Sequence, residues 1–504
     1  MKNIIKLFIG VVAIGFVSCD ADFENPVTDI GFYTSGTADL SKYVAVGNSL
    51  TAGYADGALY ITGQNNSYPN IMAQQFALAG GGEFTQPLMA DNTGGLLLGG
   101  NQVFANRFVL SVDANGNPGP VRLEGTPATT VSGSAAGPFN NMGVPGAKSF
   151  HLNANGYGAA NAWFARFQTS ASASVIEDAV SMNSTFFSLW IGNNDVLSYA
   201  ASGGSGVDQT GNLDPSTYGP NDITDPNVFG AAYNAQVAAL IGGGAKGVLL
   251  NIADVTSSAY FTTVPGPAIP LDAATAGAVN AQFALYNTQV LPGLAALGVI
   301  TPAEAAARVV SFSAGQNYPI ITDNDLTDIS AILQGPPFNL PAQTAGLLGQ
   351  LRQENSGDLT LLTAASILGT TPDPSNPLGV VGVSIPVSNE FVLTAAEQER
   401  VATAAAAYNV TISALASAND LGYVDIKTGL AEVADMGVPY DGGVLTSQFV
   451  TGGTFSLDGL HPTPRGYAYV ANYVIDVINR KYEATVPKVA IGNYGTVTLT
   501  NNGG

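Results

Sequence analysis

Across 504 residues the chain sets 16 Lys and Arg against 37 Asp and Glu, a formal net charge of −21. Such a surface repels phosphate backbones, so nucleic acid is not expected as a partner. With 46% hydrophobic residues, 60 glycines and 11% charged side chains, the composition excludes a disordered or fibrous chain and describes an ordered, loop-rich globular protein able to bury a large core.

The first segment, MKNIIKLFIGVVAIGFVSCD, places Lys2 and Lys6 before an apolar run too short and too early for a membrane span. That is the pattern of a secretory signal. The run ends in FVSC, and Ser18 with Cys19 resembles the lipobox at which bacterial lipoproteins are cleaved and lipidated on the cysteine. The resemblance implies a signal peptide over 1–18 and a lipid anchor on Cys19. Because Cys19 is the only cysteine, no intramolecular disulfide is possible. Removing 1–18 deletes two lysines and no acids, which leaves the mature chain more acidic still. Asp20, Asp22 and Glu24 follow directly and look like the acidic export signal of some surface-exposed Gram-negative lipoproteins; a solvated tether over 19–40 accounts for them equally well. The expected location is extracytoplasmic, lipid-anchored to a bacterial membrane, the outer one.

YVAV (43–46) is the first buried-strand signal, and it runs directly into GNSL. Residues 80–140, rich in Gly, Pro, Asn and Thr, interrupt the pattern as a first insertion. Within it RFVLSVDANGNPGPVRLEG shows two alternating runs around an Asn-Gly turn, a hairpin signal. FFSLWI (186–191) is continuously apolar, as a central parallel strand covered on both faces should be. DPNVFGAAYNAQVAALI then predicts a helix, with Asp225 as cap, Pro226 at the first position, and Phe229, Tyr233, Val237 and Leu240 on one face. GVLLNI (247–252) reads as the next strand. A second insertion spans about 255–392 and holds a capping box at Thr301 and Glu304. Another box, Thr394 with Glu397, opens a helix carrying Val401, Ala405, Tyr408, Ile412 and Leu415 at helical spacing. GYVDI (422–426) follows as a strand. The last helix starts at Thr463–Pro464 and aligns Tyr467, Val470, Ala471, Val474, Ile475 and Ile478. Helix-period runs followed by short apolar strands are the pattern of an α/β protein with a central parallel sheet. One domain over 41–482 is expected, followed by a tail over 483–504.

In such sheets ligands bind outside the carboxyl ends of the strands, and three polar stretches stand there: GNSL, GNND and FSLDGLHPTPRG. A hydroxyl nucleophile needs a base, a carboxylate to hold that base, and donors for an oxyanion. GNSL with Ser49, NMGVPG with Gly146, IGNND with Asn194, and DGLHP with Asp458 and His461 resemble, in order, the four blocks of the SGNH, or GDSL-type, esterase and lipase family. The resemblance implies a flavodoxin-like three-layer α/β/α fold and a Ser49–His461–Asp458 triad. It also implies an oxyanion hole from the Ser49 and Gly146 amides and the Asn194 side chain. Asn48 stands where the family usually has Asp, and can keep the acceptor role while losing the charge.

Only His151 and His461 could serve as a histidine base. Asp458 precedes His461 by three residues, so one turn can bring the carboxylate to the imidazole and fix its tautomer; His151, five residues after Gly146, reads as a surface or packing histidine, with the mouth of the site as the alternative. Asp195 reads as structural. No Cys/His cluster, His-Glu-x-x-His or calcium-type carboxylate loop occurs, so no metal or other cofactor is expected. The expected activity is hydrolysis of carboxylic esters, of carbohydrate or of lipid, through an acyl-serine. The alternative is a surface glycan-binding lipoprotein on a degenerate hydrolase fold, against which the intact Ser49, Asp458 and His461 speak.

Overall fold

Five short runs form one all-parallel sheet: β1 Tyr43–Gly47, β2 Asn141–Gly143, β3 Phe186–Trp190, β4 Lys246–Leu250 and β5 Gly422–Val424, in spatial order 2-1-3-4-5. This is the flavodoxin-like doubly wound order, whose switch point lies between β1 and β3. The computed structural model describes residues 32–500 except 114–115 and 133–134; Cys19, with Lys2, Lys6, Ser18, Asp20, Asp22 and Glu24, lies outside the described residues.

Side chains alternate across a strand, and here both faces are covered. Val44, Val46, Phe187, Leu189 and Leu249 point to one core, shared with helices α3 Val175–Ser181, α4 Asn194–Ala201, α5 Pro226–Ile241 and α6 Ala395–Ala418. Tyr43, Ala45, Phe186, Trp190, Val248, Leu250 and Val424 point to the other, shared with α2 Tyr68–Leu78 and α8 Pro464–Tyr482. The chain is therefore a three-layer α/β/α protein.

The helix starts follow from their capping residues. Asp225 accepts from the Asn227 and Val228 amides ahead of Pro226, Thr394 and Glu397 form the reciprocal box, and Thr463 accepts from the Gly466 amide ahead of Pro464. Two local expectations are corrected. Thr301 caps the Glu304 amide, but the Glu304 carboxylate does not return to close the box; it pairs with Arg308 one turn on at 2.8 Å. On α6 Val401, Tyr408 and Ile412 are buried as expected, Ala404 and Ala416 are buried beside them, and Ala405 and Leu415 pack partly buried against the same core. Strand β5 stops at Val424, since Asp425 turns to cap helix α7 Ile426–Asp435 through the Thr428 amide.

The two interrupting stretches differ in kind. In the first, Phe108–Val112 and Pro118–Arg122 pair as an antiparallel hairpin beside a second pair, Gly94–Leu98 with Asn101–Asn106. The second builds its own core, from Ile269 through Phe283, Leu294, Ile320 and Leu333 to Val383. Residues expected as tether and tail are packed in the described segments: Ala38 and Leu40 at one end, and Ala484, Val486 and Ile491 at the other, join the α2/α8 core. These apolar side chains bury surface that a free tether would expose.

Candidate active site

Ser49 opens the four-residue helix α1 Ser49–Ala52, directly after β1. Its loop is tight: a β-carbon on Gly47 would lie 2.2 Å from Thr51 Oγ1 and 2.3 Å from the Trp190 carbonyl oxygen, so only glycine lets β1 run this close to β3. Asn48 is fully buried, and its side-chain oxygen accepts from the Leu50 amide at 3.0 Å. It keeps the acceptor role expected of it, while its Nδ2 has no partner among the described residues.

The third polar stretch arrives 412 residues later. His461 Nε2 lies 2.9 Å from Ser49 Oγ, and His461 Nδ1 lies 2.9 Å from Asp458 Oδ2. A carboxylate can only accept, so Nδ1 carries the proton and Nε2 presents its lone pair to the Ser49 hydroxyl. Asp458 also accepts from the backbone amides of Gly57 at 2.8 Å, Leu460 at 2.9 Å and His461 at 2.8 Å, and from Ser456 Oγ at 3.1 Å. Burial opposes its charge, but the adjoining imidazole and the hydrogen bonds from His461 and Leu460 outweigh it and hold the carboxyl at about 2. Asp458 stays ionised through the ordinary pH range.

The loop bearing this pair is fixed from both sides. Internally, Ser456 N donates to the His461 carbonyl at 2.8 Å and Gly459 N to the Ser456 carbonyl at 2.9 Å. From the second insertion, Tyr260 N donates to the Gly459 carbonyl at 2.9 Å. From the loop after α1, the buried Asp56 accepts from the Leu457 amide at 2.9 Å and from the Tyr60 hydroxyl at 2.7 Å, and its own amide donates to Ser456 Oγ at 2.8 Å. Asp56 and Gly57 reach these contacts with φ of 53° and 69°. Sequence reasoning missed Asp56, Gly57 and Ser456. The Asp-Gly pair after GNSLTAGY was the available signal, since these residues favour left-handed turns.

Gly146 follows β2 with φ of 79° and open space around its α-carbon. Neither its N–H nor that of Ser49 has an acceptor among the described residues. Asn194, at the start of α4 after β3, donates from Nδ2 to the Ala147 carbonyl at 2.9 Å, which ties its amide to the Gly146 loop. Ser49, Gly146, Asn194 and His461 all line one cleft of about 360 Å³, walled by Tyr54, Phe104 and Trp163. Strand ends at the switch point thus bring together a hydroxyl, an oriented imidazole, an anionic carboxylate and free N–H donors, the parts from which an acyl group can be attacked and its oxyanion held.

The remaining expectations resolve as packing. His151 stacks on Tyr157 at 4.9 Å between ring centres and accepts at Nδ1 from the Lys148 amide at 3.1 Å. Burial first, then the nearby Lys148 charge, lower its pKa to about 4. Asp195 is fully buried and accepts from the Ser149 amide at 2.8 Å and hydroxyl at 2.7 Å. No group of three His, Cys, Asp or Glu side chains among the described residues could hold a metal ion.

No protein-family model, no curated protein and no solved structure matches this chain. The functional reading accordingly rests on the site itself.

Proposed function

We propose that this protein is a serine hydrolase of the SGNH type that cleaves carboxylic esters through an acyl-serine, with Ser49 as nucleophile, His461 as base and Asp458 as its orienting carboxylate. The observation that carries the reading is the continuous Ser49–His461–Asp458 hydrogen-bond chain, 2.9 Å at each step, opening into a cleft. A structural serine has no need of an imidazole held in one tautomer by a carboxylate with five donors.

In the first half-reaction Ser49 Oγ bonds to the ester carbonyl carbon as its proton passes to His461 Nε2, and the carbonyl electron pair moves onto oxygen. The Ser49 and Gly146 amides and the Asn194 side chain stabilise that oxyanion. Collapse breaks the carbon–alkoxy bond, and His461 returns its proton to the departing alkoxide. Water then repeats the sequence: its proton goes to His461, its oxygen bonds to the acyl carbon, and the Ser49 Oγ–carbon bond breaks as Oγ regains a proton. Asp458 stays anionic and stabilises the imidazolium in both halves. Lipidation of Cys19 would hold this activity at a bacterial membrane outside the cytoplasm.

The test is hydrolysis of a panel of acetylated sugars and short- and long-chain esters, beside Ser49→Ala. Turnover should fall by at least about 10⁴ in the variant with the fold retained. A folded Ser49→Ala protein that still hydrolyses these esters would defeat the assignment, and binding of glycans without turnover by the native chain would favour the glycan-binding alternative. Cys19→Ala should move the protein from the membrane to the soluble fraction.

A further inference from the structure

Two cavities meet at Ser49, and they are unlike. Beside the 360 Å³ cleft lies a smaller pocket of about 60 Å³, bordered by Ser49 and His461. Leu50, Trp190, Leu197, Val255, Leu430 and Leu460 give it a mainly apolar lining, with Asp254 and Ser258 among the polar residues beside them. Its floor is rigid: Trp190 is 1% exposed, in the middle of the sheet, and its Nε1 donates to the Asn251 carbonyl at 3.1 Å. The cleft, by contrast, has an aromatic wall, with Phe104 and Trp163 rings 4.8 Å apart and Tyr54 packed on the His461 ring at 4.7 Å. Phe104 is 39% exposed and Trp163 only 4%, so Phe104 is the ring of this wall most open to an incoming ligand.

An ester held at Ser49 has two arms, acyl and alkoxy, and the chemistry treats them differently. The alkoxy arm must leave after the first half-reaction, and water must enter behind it. The acyl arm stays bonded to Ser49 throughout. The group that leaves therefore needs the larger cavity, and the group that stays can occupy the smaller one. An apolar cavity of about 150 Å³ holds the six carbons of benzene, and on that scale about 60 Å³ takes roughly two to three carbons.

Resting on the esterase reading above, we propose that the substrate is an acetyl or propionyl ester of a bulky alcohol that lays a flat face, such as a sugar ring, on the Tyr54–Phe104–Trp163 wall. A long-chain lipid ester does not fit this partition. The first insertion supplies Phe104 to the cleft and the start of the second supplies Val255 to the pocket, so both act on specificity.

The experiment is a pair of ester series on the native protein. With one alcohol held constant, kcat/KM should fall at least about tenfold from acetate to butyrate and again to octanoate, since a hydrophobic pocket discriminates by about tenfold or more per methylene. With acetate held constant, it should hold or rise as the alcohol grows from methanol to benzyl alcohol to an acetylated xylose. Leu430→Ala and, separately, Leu197→Ala should raise the butyrate-to-acetate ratio about tenfold; should either variant fail to fold, the native series decides alone. A rate that is flat or rising with acyl length overturns the proposal. So does a rate that collapses as the alcohol grows, which would put the alcohol in the pocket. If no ester is turned over in a Ser49-dependent way, the esterase reading fails and this inference goes with it; Ser49-dependent turnover with the wrong length profile defeats the inference alone.

Discussion

Asp458, at the mouth of the parallel sheet, and Glu354, inside the second insertion, are both carboxyl groups taken out of water, and they end in opposite states. Asp458 receives five donors and is held at about 2. Glu354 is 3% exposed and receives one, the Thr360 hydroxyl at 2.8 Å, and its second oxygen has no partner among the described residues. Burial raises it to about 8, with the Thr360 bond and Arg352 opposing and Asp358 adding to the rise. Arg352, the nearby cation, is already committed to Asp323 at 2.5 Å and Asp358 at 2.6 Å. Depth in the protein therefore does not decide charge; the number of donors supplied by surrounding loops does. One site holds its anion ready beside an imidazole, while the other buries a neutral acid.

The largest expected effect comes from removing the charge that the first region maintains. Asp458→Asn should keep the fold but favour the wrong His461 tautomer, lowering kcat by about 10⁴ if the site follows the triad pattern, for which that size is known in another enzyme. Steady-state kinetics beside circular dichroism checks this, and a variant that keeps most of its turnover would mean that the Ser49–His461 pair suffices. Next comes the neutral donor. Asn194→Ala should lower kcat by on the order of 10²–10³ with little change in KM, because the oxyanion carries its full charge only in the tetrahedral state. A fall in melting temperature with normal kcat would instead assign Asn194 to its Ala147 contact alone.

The smallest effect on turnover, and the sharpest contrast, is expected at Glu354. Its folded pKa is raised, so its contribution to stability is full below the unfolded value near 4.5 and is lost as pH rises through about 8. Glu354→Gln should leave kcat unchanged while flattening the pH dependence of stability across that window by on the order of a few kcal/mol. Urea unfolding at pH 4.5 and pH 9 measures it. Equal pH slopes in the native and variant proteins would show that the two carboxyl groups do not differ as described.

Much of the scaffold was legible because its signals are local. Continuous apolar runs marked β1 and β3, and Asp225, Thr394 and Thr463 marked helix starts, since caps and periodicity depend on neighbours within a few residues. Strand ends located Ser49 and Asn194, and the three-residue spacing brought Asp458 to the imidazole of His461. Where local reading failed, a second partner had intervened: Glu304 closes on Arg308 rather than on its cap, and Asp425 leaves its strand to cap a helix. The tether and tail were placed outside the domain, yet Ala38, Leu40 and Val486 are drawn into a core that no window of sequence contains.

By itself, then, the sequence determined the α/β layering, the helix starts and the residue types available for chemistry, because each is written in short-range pattern. Only the tertiary structure decided the 2.9 Å contact between Ser49 and a histidine 412 positions away, a pairing the resemblance had only implied, that Gly57 and Ser456 complete the shell of Asp458, and that the pocket beside the serine is smaller than the cleft. Cavity size and donor count are set by where distant loops converge, and that convergence is a property of packing, which no stretch of sequence carries alone.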